Sequence, residues 1–133
     1  MNKKRILFVD DEPMIVILMK KRLEANGYEV ETLTDSSAVV ETAAKKKPDM
    51  VLLDIMMPGL NGYEVCKALK ARTETEKIPV IMFTANQADG FIKRALEAGA
   101  VAVVNKPVVA DVLDVMRRYF TYGKIEDNDE DAA

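Results

Sequence analysis

The chain has 133 residues, 49% of them hydrophobic and 31% charged, the balance of a soluble globular protein with one packed core. No apolar run approaches the ~20 residues of a membrane span, and the start, MNKKRILFVDDE, reaches an acid cluster after only Ile6 to Val9. Neither a span nor a targeting segment is expected, and the reading is a cytoplasmic protein.

The formal charge of −3 is unevenly spread. Residues 124–133, KIEDNDEDAA, set Lys124 against five acids, a net −4, and leave the rest near neutrality. This tail, residues 123–133, has too few apolar residues to fold alone. The longest basic run, Lys45-Lys46-Lys47, closes a helical pattern, where cations favour the helix dipole, so no nucleic-acid surface is expected. Cys66 is the one cysteine; it has no internal disulfide partner and reads as a small core residue.

Ile6 to Val9 is a short apolar run before Asp10-Asp11-Glu12, read as a first buried strand. Pro13 then sits in the first turn of a helix, where its missing N–H costs nothing, and Ile15, Leu18, Met19 and Leu23 form an apolar stripe ended by Asn26-Gly27. Tyr28 to Leu33 alternates as a more exposed strand, Asp35 or Ser36 is the N-cap candidate, and a helix over Ala38–Lys46 stops at Pro48. Met50 to Leu53, apolar on both faces, runs straight into Asp54, after which Pro58, Gly59, Asn61 and Gly62 break the chain. This is a central parallel strand delivering an acid to a loop. Val65, Cys66 and Leu69 give the third helix face, Ile78 to Phe83 the fourth strand, and Phe91, Ile92, Ala95 and Leu96 a fourth helix closed by Gly99. Val101 to Val104 is the fifth strand, and Val109, Val112, Leu113, Met116 and Phe120 the last helix stripe. Five strands alternating with five helices predict an α/β fold: a parallel sheet with right-handed crossovers, doubly wound as a three-layer sandwich.

Four strand ends carry polar groups: Asp10-Asp11-Glu12, Asp54, Thr84 and Lys106. In a parallel sheet these ends share one edge, where open α/β sheets place their chemistry. Clustered carboxylates are stable only with a cation or with raised pKa values. In a chain without histidine, oxygen ligands select a hard ion, Mg²⁺ above others. A cation beside a nucleophilic Asp, a hydroxyl and a Lys is the equipment for receiving a phosphoryl group. Taken singly, Asp10 to Glu12 read as the acidic start of a helix, Thr84 as a strand-end hydroxyl and Lys106 as a loop charge. Only Asp54, at the end of a fully apolar strand, resists such an explanation; the convergence of all four carries the argument.

With VDDE at 9–12, D-x-x-M-P-x-x-x-G at Asp54–Gly62, Thr84-Ala85 and Lys106-Pro107, the chain resembles the receiver domain of two-component response regulators, the class that includes the chemotaxis regulator. The likeness spans roughly residues 3–121 and implies a flavodoxin-like sheet of order 2-1-3-4-5, with the receiver domain over 1–122. It implies Asp54 as phosphoacceptor, Asp11 as a direct Mg²⁺ ligand, Asp10 as one acting through water and the Met56 carbonyl as a further ligand. Thr84 would be the switch hydroxyl and Lys106 the phosphate-pairing cation. Implied partners are a sensor histidine kinase or a histidine phosphotransfer protein as donor and a downstream protein on the face of the fourth and fifth helices. A homodimer formed on phosphorylation is left open, and neither nucleic acid nor membrane is bound directly. Such a protein is not a turnover enzyme on external substrates.

Two positions depart from the family pattern: Val103 stands where an aromatic is usual, and Val108 where a Phe commonly follows Lys-Pro. Met56 and Asn86 occupy the positions flanking the path of the attacking water. An alternative is a small Mg²⁺-dependent phosphatase of haloacid-dehalogenase type, which also uses an Asp nucleophile, but in a D-x-D motif after the first strand, where this chain has Asp10-Asp11. Little sequence follows Tyr122, so the reading is a stand-alone receiver or one cut from a longer regulator.

Overall fold

Short apolar runs too brief for helices, separated by segments with helical spacing, settle into a five-stranded sheet clothed by helices. The computed structural model describes residues 3–55, 61–84, 89–105 and 109–123. In chain order these form β1 (Arg5–Val9), α1 (Pro13–Ala25), β2 (Glu29–Leu33), α2 (Val39–Lys46), β3 (Met50–Asp54) and α3 (Gly62–Lys70). They continue with β4 (Val80–Thr84), α4 (Asp89–Glu97), β5 (Ala102–Asn105) and α5 (Val109–Tyr122). The strands are parallel, in the order β2-β1-β3-β4-β5, so the expected topology holds.

Alternation along the strands sends side chains to two separate cores. On one face Ile6, Phe8, Met50, Leu52, Ile81 and Phe83 pack under α1 and α5. On the other, Leu7, Val9, Val51, Leu53, Val80 and Met82 pack under α2, α3 and α4. All of β3 is buried, as a strand covered on both faces must be. The rings of Phe8 and Phe83 stack at 5.1 Å across the intervening β3, just before β1 and β4 reach the sheet edge.

Several sequence-based details shift. The inward stripe of α1 is Val16, Met19 and Leu23, with Ile15 only partly packed, while Leu18 faces outward with Met14 and Ile17. The helix turns Val16 rather than its neighbours inward because 16, 19 and 23 share one side of a 3.6-residue period. Leu96 of α4 is likewise exposed, since Ala95 and Ala98 make the close contact. The fourth strand begins at Val80 rather than Ile78, though the Pro79 carbonyl still accepts from the Val51 N–H. The fifth runs Ala102–Asn105, one residue later than expected. A 3₁₀ turn, Ser36–Ala38, precedes α2 and is capped by Asp35, whose carboxylate accepts from the Ser37 N–H at 2.9 Å. The end of α2 is tied down by the Arg5 guanidinium, which donates to the Lys46 and Lys47 carbonyls left without intrahelical donors. No helix among the described residues is long and apolar enough to cross a membrane.

Candidate functional site: an acid cluster at the sheet edge

β1 and β3 are neighbours, and both end on acids at the same edge. Asp10 follows directly on β1 and keeps one bond to β2, its N–H donating to the Leu33 carbonyl at 3.1 Å. Its carboxylate turns back to accept the Glu12 N–H at 2.9 Å, which fixes the loop before Pro13 starts α1. The acids here do not cap that helix: Glu12 occupies the N-cap without a side-chain bond, and the first turn of α1 holds no acid. Asp54 closes β3, opposite Phe83 of β4. Asp10 and Asp54 are buried, at 0% and 2% exposure, and Asp11 is half-buried.

One carboxylate oxygen from each of Asp10, Asp11 and Asp54 lies within 4.8 Å of the others. Three acids drawn together at the edge of an apolar sheet repel unless a positive charge sits among them. The shell of a hard cation measures about 4–5 Å across for oxygens at 2.0–2.6 Å from the ion. The donor set is all oxygen, so cluster and spacing fit such an ion and not a soft one.

The start of α3 lies against the end of β3. Asn61 caps it, its side-chain oxygen accepting the Glu64 N–H at 3.0 Å, and the Gly62 N–H donates to the Ile55 carbonyl at 2.8 Å. The approach is so close that a Cβ on Gly62 would stand 2.7 Å from the Asp54 carbonyl oxygen and 2.7 Å from the Ile55 Cα. Gly62 was legible in the motif, but the reason for it was not: the helix start and the Asp54–Ile55 backbone are in direct contact. Tyr63, next along, escaped the sequence reading altogether. It is buried, its hydroxyl donates to the Phe91 carbonyl of α4 at 3.4 Å, and the Arg94 guanidinium lies over its ring at 4.1 Å. The available signal was an aromatic in the first turn after an N-cap Asn, where a side chain faces the neighbouring helix.

Thr84 closes β4 in register with Asn105, the last residue of β5. Lys106, Met56, Asn86 and Val108 lie outside the described residues. Val103 pairs with Met82 and packs, half-buried, on the α2, α3 and α4 side of the sheet. Cys66 is a fully buried core residue, and burial pushes its thiol up to about 11.

A family model described as the response regulator receiver domain matches residues 6–117. The alkaline phosphatase synthesis transcriptional regulatory protein PhoP of Bacillus subtilis is 42% identical over 123 residues, which cover 89% of this chain and 50% of that protein. The chain spans about half or less of the curated relatives it matches, from 23% to 53% of their lengths. Among solved structures, Vibrio cholerae chemotaxis protein CheY4 aligns with a TM-score of 0.83 at 27% identity, covering 88% of this chain and 98% of that one. The receiver domain of Pseudomonas aeruginosa sensor histidine kinase PA1611, solved with a magnesium ion in its active site cleft, aligns at 0.82 with 27% identity, covering 90% of this chain and 99% of that one. With the family match spanning most of its length and the sheet order and acid cluster in place, this chain belongs to the response regulator receiver domain family.

Proposed function

We propose that the protein accepts a phosphoryl group on Asp54 from a phosphohistidine of a sensor histidine kinase or phosphotransfer protein and thereby switches its contacts with a downstream protein. The observation that carries the reading is the meeting of Asp10 and Asp11 with the buried Asp54 within 4.8 Å, an all-oxygen set in which a hard cation would keep the Asp54 carboxylate ionised and nucleophilic. The PA1611 receiver holds magnesium in its active site cleft, and Asp10, Asp11 and Asp54, with the Met56 carbonyl, would hold it here. A bound Mg²⁺ neutralises the acids and the oxygens of the transferred group.

The chain's own residues do the rest. An Asp54 carboxylate oxygen attacks phosphorus and forms an acyl phosphate. The P–N bond to the donor imidazole breaks, its electron pair going to nitrogen, which takes up a proton. The Lys106 ammonium pairs with the phosphoryl oxygens, and the Thr84 hydroxyl donates to one of them. The donor approaches over α1, whose first turns begin beside the cluster and expose Met14, Ile17 and Leu18; such a patch suits an apolar helical partner. The output runs through the α4 and α5 face to a downstream protein or a second copy of the chain, in the cytoplasm. The receiver family assignment favours this reading over the haloacid-dehalogenase-type phosphatase.

The test is mass spectrometry of the intact protein with a small phosphodonor. Uptake of one phosphoryl group is expected in Mg²⁺, loss of uptake in Asp54→Asn, and a strongly raised Mg²⁺ requirement in Asp11→Ala. Equal labelling in EDTA overturns the metal's role, and labelling of Asp54→Asn overturns the acceptor.

A further inference from the structure

We infer that Tyr63 is a positioning residue that couples the state of the Asp54 strand end to α4, a role resting on Asp54 as the phosphoacceptor. Two observations meet at this side chain.

The first is the absence of slack upstream of it. Gly62 touches the Asp54 carbonyl and the Ile55 Cα so closely that no Cβ fits, and its N–H is bonded to the Ile55 carbonyl at 2.8 Å. A displacement of the backbone at residues 54–55 is therefore passed to the first turn of α3, because packed backbone cannot absorb it by compression. Tyr63 is the next residue of that turn and is only 3% exposed.

The second is the softness of what holds Tyr63 on its far side. Phe91 and Arg94 are three residues apart on α4 and share a face; the Phe91 carbonyl accepts the phenol at 3.4 Å and the Arg94 guanidinium covers the ring at 4.1 Å. A hydroxyl bond at 3.4 Å is at the long limit, so a shift of a few tenths of an ångström makes or breaks it. The cation–π contact is electrostatic and tolerates sliding. Burial holds the phenol above its ordinary pKa while Arg94 pulls the other way, so the hydroxyl keeps its proton as a donor at neutral pH. A rigid contact on the Asp54 side and two adjustable ones on the α4 side make Tyr63 a linkage whose far end can take two positions. Val103, β-branched and packed on the same side of the sheet, offers no hydroxyl and no swing of comparable reach.

The experiment is amide exchange of the full chain with and without beryllofluoride and Mg²⁺, reading residues 89–97 against β1 as internal reference. It is run on wild type, Tyr63→Phe, which keeps the ring and removes the donor, and Arg94→Met, which removes an exposed charge. Wild-type α4 is expected to change its exchange rates by about fivefold or more on loading, and both variants by less than about twofold, while Asp54 labelling by a small phosphodonor persists. A wild-type response retained in both variants, or a wild-type α4 that does not respond although Asp54 is labelled, overturns the proposal alone. Wild type that takes up no label overturns the phosphoacceptor reading, and the coupling with it.

Discussion

Replacing Gly62 with alanine tests whether the end of β3 and α3 are as tightly joined as the structure shows. The new Cβ would lie 2.7 Å from the Asp54 carbonyl oxygen, 2.7 Å from the Ile55 Cα and 2.9 Å from the Met82 Cε. Ordinary contacts of this kind are about 3.5–4 Å, so the overlap is close to an ångström against two backbone atoms. Met82 can turn its terminal methyl aside; the backbone of 54–55 cannot. The first turn of α3 must lift away, stretching the Gly62 N–H bond to Ile55. Overpacking of this sort costs about 1–3 kcal/mol, against which the helix propensity of alanine over glycine returns at most about 1 kcal/mol. The net expectation is a loss of about 1–2 kcal/mol, a fall in Tm of several degrees for a domain of this size. Gly90→Ala is the control, because a Cβ there meets nothing within 4 Å and the same propensity term should leave the protein equal or more stable. Urea denaturation of the three proteins, followed by the initial rate of Asp54 labelling at a temperature where all are folded, reads both effects. A Gly62→Ala protein as stable as Gly90→Ala and labelled at the wild-type rate would show that the contact is not tight.

Met56→Asn is expected to shorten the life of the acyl phosphate, since methionine hinders water without the strong hydrogen bond that would orient it; a time course of phosphate release in which wild type decays faster refutes this. Thr84→Ala should leave labelling in place but abolish loading-dependent amide exchange over 84–92 and 101–110, with a coupling of about 1–3 kcal/mol at stake. Undiminished exchange changes in that variant would remove the switch role from the hydroxyl. Cys66 supplies a pH test. Its thiol is raised from 9.0 to about 11, so between those values the folded protein keeps a proton that the unfolded chain releases. Stability is full below pH 9 and falls by up to about 2–3 kcal/mol as pH rises through 11. Half-buried Lys70, whose ammonium is pulled down by desolvation, acts in the opposite direction, and the Cys66→Ala difference in denaturation free energy between pH 8 and 11 isolates the thiol. Parallel curves for the two proteins would contradict it.

The elements that carried strong one-dimensional signals are those the sequence made legible. A short apolar run that ends on Asp54 and is broken by Pro58, Gly59 and Gly62 suits a doubly covered strand, and four such strand ends imply one edge; topology and acid cluster followed. The misplacements have a common physical origin. In α1 the apolar residues go nearly all round the helix, so composition alone does not say that Val16 and not Leu18 faces inward; the neighbours in α5 and β2 decide it. Leu96 is displaced from the core because alanines let α4 approach the sheet more closely than a leucine would. The Tyr63 linkage depends on two helices that are adjacent in space and 28 residues apart in sequence, which periodicity does not report.

The two hydrophobic layers share strands but no side chain, since each strand residue belongs to one layer or the other. A substitution beneath α1 or α5 reaches the opposite layer only through strand backbone, and energetic effects of changes on the two sides should add with little cross-talk. Natural variation can therefore retailor one side of this molecule for a new companion while the other keeps its fit. The sheet acts as a bulkhead between two surfaces free to drift at different speeds, and the acid cluster, at the rim where both compartments end, is the place they must continue to agree.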